Sequence, residues 1–153
     1  MIYSTKNKQI VLARTGDLMV MAVAPVTIDD ETWADSIDRF VDFHTNEPVS
    51  LFINYAPTHV PTTRQRDMLA KAWVDYPQLM NAKSGALLTD SLLVRGAVTA
   101  MNWLSRGGLE TRSFKTNQHD EAISWLNQRG NFDEHQASLL LATLVAHTGG
   151  RLP

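Results

Sequence analysis

Three short apolar segments, separated by longer segments of helical periodicity, constrain the fold of this chain more than any other feature. They are Val49–Tyr55, Gly85–Thr89 and Leu109–Phe114. The first is apolar or β-branched at nearly every position, which is expected of a strand covered on both faces. Strands that alternate with amphipathic helices are typical of right-handed crossovers, so the pattern predicts an α/β fold with a mostly parallel sheet.

A hairpin precedes this alternation. Gln9–Arg14 and Leu18–Ala24 are rich in Val, Ile, Leu and Met, and Thr15-Gly16-Asp17 lies between them. Glycine tolerates the positive φ that a tight turn between two strands requires. The hairpin is expected to add one antiparallel strand to the sheet.

Helical periodicity and capping residues predict five helices. They cover about residues 27–46, 62–76, 90–106, 118–129 and 133–147. In the first helix, the predicted apolar stripe comprises Trp33, Ile37, Phe40, Val41 and His44. The first four helices each carry one tryptophan, which we expect to pack against the sheet because aromatic side chains dominate core burial. These are Trp33, Trp73, Trp103 and Trp125.

Length and composition indicate one domain over residues 1–153. A chain of 153 residues that is 44% apolar and 20% charged resembles an ordinary globular domain. Its net charge is −2 and its 14 basic residues are scattered, whereas nucleic-acid binders cluster such residues on one face. We therefore predict no nucleic-acid partner.

The chain contains no cysteine, which excludes disulfides, thiolate metal sites and a cysteine nucleophile, and which fits a reducing compartment. The first six residues lack the charged and apolar regions of a signal peptide. The longest apolar runs are far shorter than the ~20 residues that span a bilayer. We expect a soluble, cytoplasmic protein without a membrane span.

Several of these elements together resemble the SpoIIAA-like, or STAS-like, domains of bacteria. The resemblance covers about residues 8–129, and the helix at about 133–147 lies beyond it. It implies a mixed, mostly parallel sheet with an N-terminal hairpin, packed by helices, plus an extra C-terminal helix. The matching segments are Gly85–Thr89, Asp90-Ser91, Arg95–Leu104, the strand ending in Phe114, and Glu121–Leu126.

The resemblance implies a regulatory binding module in signalling rather than an enzyme, and a SEC14-like branch of relatives suggests an apolar ligand. In the anti-sigma-antagonist branch, a phosphorylatable serine opens the helix after the central strand, within a D-S-S-G-L type motif. Pro57–Thr63 takes that place here, without the motif. Thr62 and Thr63 stand at about the right position, but helix capping explains them more simply than phosphorylation does.

The loops that follow the parallel strands form the predicted binding edge. In open α/β sheets, ligands bind beyond the carboxyl ends of the strands, and helix amides there can hold an anion. Three loops are expected to meet, at residues 55–63, 89–91 and 114–118. The residues that they offer to a ligand or partner are Tyr55, Thr58, His59, Thr62, Thr63, Asp90, Ser91, Lys115 and Thr116.

A Ser91–His59–Asp90 hydrolase triad can be drawn from this set. However, Ser91 lacks the G-x-S-x-G turn of such nucleophiles, and Asp-Ser at a helix start is first of all a cap. The five histidines show no metal-binding pair such as H-x-x-x-H, and no glycine-rich phosphate loop is present. We therefore predict no catalytic residue, no metal and no cofactor.

Two predicted helices carry more apolar residues than a single sheet face can cover. They contain Leu92–Leu104 and Ala137–Val145. Either these helices bury each other, or they form the surface of a homodimer or of a contact with a partner. The interface candidates are Leu92, Val94, Val98, Met101, Leu140 and Leu144.

The preferred interpretation is a non-catalytic regulatory module that binds a protein partner or a second copy of itself. One alternative is a carrier of a small apolar or lipid-like ligand. The other is a hydrolase that uses the strand-end loops.

Overall fold

A six-stranded mixed sheet forms the centre of the protein. In the computed structural model, which describes residues 1–97 and 109–153, the strands follow one another across the sheet in chain order. The first three strands pair antiparallel, and the third to the sixth pair parallel. The strands are β1 (Tyr3–Ser4), β2 (Ile10–Thr15), β3 (Leu18–Val23), β4 (Leu51–Tyr55), β5 (Ser84–Leu88) and β6 (Glu110–Phe114).

Helices follow the strands in the predicted order, which confirms the α/β architecture with its N-terminal hairpin and extra C-terminal helix. The third helix, α3, is described over residues 92–97, and the rest of its predicted span, with Trp103, lies outside the described residues. β1 is an additional strand that the apolar pattern does not indicate, because it is only two residues long. The other helices are α1 (Asp30–Asn46), α2 (Thr63–Asp75), α4 (His119–Asn127) and α5 (Glu134–His147).

Helices cover both faces of the sheet. α5 lies over β2 and β3 and beside α4, and α4 lies over β4 and β5. The largest core lies in this layer. On the opposite face α1 lies over β1 and β2, where Phe43 packs with Leu12 and Met19. Successive residues of β2, β3 and β4 therefore alternate between two apolar layers.

The burial of β4 differs from the expected coverage of both faces. Leu51, Ile53 and Tyr55 are buried in the layer of α4 and α5, whereas Phe52 and Asn54 on the other face are only half-buried. The cause is the position of α1, which lies over β1 and β2 rather than over β4.

The buried side of α1 is rotated from the predicted stripe. Its buried residues are Thr32, Ser36 and Phe43, whereas the five predicted stripe residues are half-buried. Internal hydrogen bonds make this burial tolerable. The Thr32 hydroxyl accepts from Asn7 Nδ2 at 2.8 Å, and the Ser36 hydroxyl donates to the Trp33 carbonyl at 2.6 Å. A search for apolar periodicity misses residues such as Thr32 and Ser36, whose hydroxyl groups can be buried because they have hydrogen-bond partners within the protein.

His44 lies on α1 between two aromatic rings. Its ring centroid is 4.5 Å from that of Phe40 and 5.3 Å from that of Phe43, both edge-on. Its buried Nε2 has no hydrogen-bond partner. Burial lowers the pKa of His44 from 6.5 to about 4, since desolvation disfavours the imidazolium cation. The imidazole is therefore neutral in the folded protein at neutral pH.

The free energy of unfolding is expected to fall as the pH drops from about 6.5 to about 4, because the unfolded chain binds a proton at His44 before the folded chain does. Above this window the ring is neutral in both states and its contribution is constant. Denaturant titrations at several pH values in this range should show that the free energy of unfolding of His44→Phe changes less with pH than that of the parent. His135→Phe, at an exposed position of α5, should show the same pH dependence of the free energy of unfolding as the parent.

Gly85 in β5 lies directly beneath the ring of Phe52 in β4. The two residues are paired in the parallel ladder, and a Cβ atom at position 85 would overlap the Phe52 ring. The absence of a side chain at position 85 therefore lets the Phe52 ring lie flat on the sheet.

Gly85→Ala is expected to lower the free energy of unfolding by about 1–3 kcal/mol, because the added methyl group forces the Phe52 ring to move. Replacing Phe52 by Leu in the same chain should recover part of the loss, which a double-mutant cycle measures. The matched control is Gly96→Ala in α3, where an added Cβ atom meets no neighbour. This substitution should stabilise the helix by about 0.5–1 kcal/mol, because alanine has a higher helix propensity than glycine. Equal effects at the two positions would contradict the packing argument.

Candidate functional site

The loops after β4, β5 and β6 meet at one edge of the sheet, hereafter the C-terminal rim. Backbone hydrogen bonds join them. The Ala56 amide donates to the Leu88 carbonyl at 2.9 Å, and the Thr89 amide donates to the Phe114 carbonyl at 3.0 Å. A third bond, from the Asp90 amide to the Pro57 carbonyl, measures 3.2 Å. The three loops thus continue the hydrogen bonding of the sheet beyond the ends of its strands.

His59 points inward from the first of these loops. It is buried, its Nδ1 accepts from the Ile28 amide at 3.2 Å, and its Nε2 lies 2.8 Å from Gln65 Oε1. Because Nδ1 is an acceptor, the ring is the neutral tautomer that carries its hydrogen on Nε2 and donates to Gln65. Both ring nitrogens are therefore used within the protein.

Gln65 completes this connection between the loop and two helices. Its Nε2 donates to the Ile28 carbonyl at 2.9 Å and to Asp30 Oδ1 at 3.2 Å, and its own carbonyl accepts from Trp33 Nε1 at 2.9 Å. Gln65 is almost fully buried. Ile28, His59 and Gln65, hereafter the His59 network, tie the loop after β4 to the loop after β3 and to α2.

Gln65 is a site residue that sequence reasoning missed, although a signal was available. Thr62 and Gln65 form a capping box, in which the Thr62 hydroxyl accepts from the Gln65 amide at 3.1 Å and Gln65 Oε1 accepts from the Thr62 amide at 3.2 Å. The spacing T-x-x-Q is the sequence signature of this motif. It predicts the cap, but not the bond to His59.

A second polar cluster surrounds Asp90. Its carboxylate accepts from the Thr116 hydroxyl at 2.9 Å and from the Thr116 amide at 3.3 Å. Ser91 Oγ accepts from the Val94 amide at 3.2 Å, which makes Ser91 the cap of α3. Burial, and after it the negative charge of Asp90, raise the pKa of the buried Tyr55 hydroxyl. This cluster joins the loops after β5 and β6.

The members of the imagined triad bond to other groups. His59 bonds to Ile28 and Gln65, Ser91 caps α3, and Asp90 bonds to Thr116. A serine nucleophile requires its base within hydrogen-bond reach, at about 2.6–3.2 Å. The arrangement of these side chains supports loop structure.

The other predicted rim residues differ in exposure. Thr58, Thr62, Thr63 and Lys115 are exposed, and Ser91 is half-buried. Thr62 caps α2, and the Thr63 hydroxyl accepts from Arg66 Nη2 at 3.0 Å. Both threonines therefore have a structural role at the start of α2.

A groove that the sequence did not indicate lies beside the His59 network. It has a volume of about 580 Å³ and lies between the loops that follow β3 and β4. Val26 and Val60, on opposite loops, are 41% and 38% exposed. The residues that line the groove are Pro25, Val26, Thr27, Thr58, His59 and Val60.

The six interface candidates are distributed between surface, core and the undescribed segment. Leu92 is exposed at 78%, Val94 is half-buried, and Val98 and Met101 lie outside the described residues. Leu140 is half-buried against the core, and Leu144 is fully buried in it. The sheet and α4 cover the inner side of α5.

Within residues 1–97 and 109–153, no group of three or more His, Asp or Glu side chains has an arrangement that could hold a metal ion. None of the helices in the same residues is long and apolar enough to cross a bilayer.

Gln65→Leu is expected to lower the free energy of unfolding by about 1–3 kcal/mol, because the buried nitrogen of His59 and the Ile28 carbonyl lose their partner. Hydrogen exchange at the Ile28 amide should also accelerate. Gln136→Leu is the matched control, since Gln136 is the third residue of α5 as Gln65 is of α2, but is exposed. It should change stability by no more than about 0.5 kcal/mol.

Comparison with known proteins identifies the fold. No family model matches the chain, and no curated protein matches it. Among solved structures, the chain is similar to an uncharacterised protein of the DUF3478 family from Shewanella loihica, which has a SpoIIAA-like fold. The two chains are 13% identical, the TM-score is 0.57, and the match covers 76% of this chain and 91% of the other. The chain therefore has a SpoIIAA-like fold, as the resemblance of its motifs implied.

Proposed function

We propose that this SpoIIAA-like domain is a non-catalytic regulatory module that binds a protein partner at the C-terminal rim. The observation that carries the proposal is the His59 network. It holds the loop after β4 from within, while Thr58 and Val60 on either side of His59 are exposed. A loop that is already ordered loses little conformational entropy when it binds, and this favours affinity.

The groove beside the network supplies the contact chemistry. Val26 and Val60 form apolar walls, and Thr27 and Thr58 add exposed hydroxyl groups. A partner that inserts one apolar side chain between the valines and hydrogen-bonds to the rim would match this surface. Protein interfaces commonly combine an apolar anchor with a polar surround of this kind.

The predicted rim residues enter this proposal in two roles. Thr58, Thr63 and Lys115 are exposed and available to touch a partner. Tyr55 and His59 are buried and support the rim from within. A reducing, cytoplasmic location belongs to the same proposal and is supported by the lack of cysteine in the sequence.

A carrier of a small apolar ligand is the second candidate. It is favoured by Leu92 and Leu93, which are exposed at 78% and 73% in the first turn of α3. Adjacent leucines exposed to this degree suit an apolar ligand as well as a partner. Native mass spectrometry of the purified protein separates the two functions, because a carrier retains ligand mass whereas a partner-binding module has the mass of the chain alone.

The proposal predicts that a charge in the groove abolishes partner binding. Val60→Asp and Val26→Asp should each lower the amount of partner captured by cross-linking in the native host by at least about tenfold. Binding of the partner would bury the new carboxylate without a counter-ion, which costs free energy. The control is Val74→Asp on α2, since Val74 is 80% exposed and is not a groove residue. Equal capture by all three variants would place the partner elsewhere.

A further inference from the structure

The last helix, α5, has an apolar inner side and an outer side that is uncharged along its middle. Its inner side, which includes Leu141 and Leu144, is buried against the sheet. Between His135 and Gly150 the sequence contains no Asp, Glu, Lys or Arg. A helix that covers one face of a sheet normally carries charged residues on its outer side. The helix α1 follows this rule, with Glu31, Asp38 and Asp42 exposed.

The outer side of α5 is exposed and uncharged. Leu139 is 50% exposed, and Ala142, Thr143 and Ala146 are also exposed. The Thr143 hydroxyl already donates to the Leu139 carbonyl at 2.8 Å, so it needs no partner in solvent. These four residues are hereafter the α5 outer face.

Charges stand only at the two ends of this face, and their signs differ. Glu134 begins α5 and is exposed, whereas Arg151 follows its end and is exposed. His147 occupies the last turn. Two α5 helices that lie antiparallel would bring the acidic start of each helix to the basic end of the other. A parallel arrangement would instead bring like charges together.

The spacing of small residues fits this antiparallel pairing. With Ala142 on a two-fold axis, Ser138 of one copy lies opposite Ala146 of the other. Small side chains at these positions allow two helix axes to approach at about 8 Å, the short end of the usual range. The start of one helix at Glu134 then lies beside the end of the other at His147, which Arg151 follows. A two-fold interface uses the same face on both copies, as this spacing requires.

We propose that a second copy of this chain binds the α5 outer face, in an antiparallel two-fold dimer centred on Ala142. The proposal does not depend on partner binding at the C-terminal rim. One pair of short helices gives a small interface, which is typical of weak association. The dimer should therefore form at high protein concentration and dissociate on dilution.

Sedimentation velocity of the full chain, from micromolar to near-millimolar concentration, tests the dimer. The parent should change from monomer to dimer over this range. Ala142→Arg places two like charges at the axis and should raise the dissociation constant by at least about tenfold. Ser124→Arg, at an exposed position of α4, is the control and should dimerise like the parent. Thermal unfolding confirms that both variants fold.

Two further variants test the antiparallel arrangement. Glu134→Arg and Arg151→Glu should each weaken the dimer, and the double variant should restore it because the opposite charges meet again. Since the parent has no cysteine, Ala142→Cys introduces a single thiol at the axis. Its oxidation should give a disulfide-linked dimer, whereas Ser124→Cys should stay monomeric under the same conditions.

A parent that remains monomeric at all concentrations would overturn the proposal. A dimer that Ala142→Arg leaves intact would also overturn it, because the contact would then lie on another surface. Equal cross-linking of Ala142→Cys and Ser124→Cys would indicate random collision and have the same consequence.

Discussion

The rest of the structure depends on the register of the four parallel strands, β3 to β6, which all end at the same level of the sheet. Their parallel pairing places Leu18, Leu51 and Ser84 side by side at one end, and Tyr55, Leu88 and Phe114 at the other. Because hydrogen bonds between parallel strands are evenly spaced, this register makes all four strands end at the same level. The loops that follow β4, β5 and β6 therefore meet, and their backbone bonds extend the sheet into the C-terminal rim.

The His59 network shows how a polar core residue can define a surface. Burying a polar group costs free energy unless it finds hydrogen-bond partners, and the Ile28 amide and Gln65 provide them for both nitrogens of His59. The same bonds that satisfy His59 hold Thr58 and Val60 at the surface. The conformation of the loop after β4 thus depends on hydrogen bonds buried beneath it, and the proposed partner groove depends on the same bonds.

The two faces of the sheet are covered differently, and this difference links the fold to the proposed dimer. α4 and α5 bury the row Leu51, Ile53 and Tyr55, whereas α1 lies over β1 and β2. α5 contributes to this core with its inner side alone. Its uncharged outer side has no role in the monomer core, so a contact with another molecule is the simplest physical reason for its composition.

The sequence by itself determined the order of the elements after β1, the turn at Gly16 and the capping role of Thr62. These features depend on residues within about four positions of one another, so periodicity and capping rules can predict them. The α/β architecture with a mostly parallel sheet followed from the same local pattern, because alternating strands and helices allow few topologies. Its SpoIIAA-like character was implied by the resemblance of the motifs to that family.

Only the tertiary structure decided which side of α1 is buried, where the groove lies and what His59 does. His59 and its partner Ile28 are 31 positions apart, and their bond exists only because β3 and β4 pair side by side. Sequence patterns record the polarity of each residue but not which distant group it meets. The sequence therefore shows only that a histidine stands in a strand-end loop, and the folded chain shows that both of its nitrogens form hydrogen bonds within the protein.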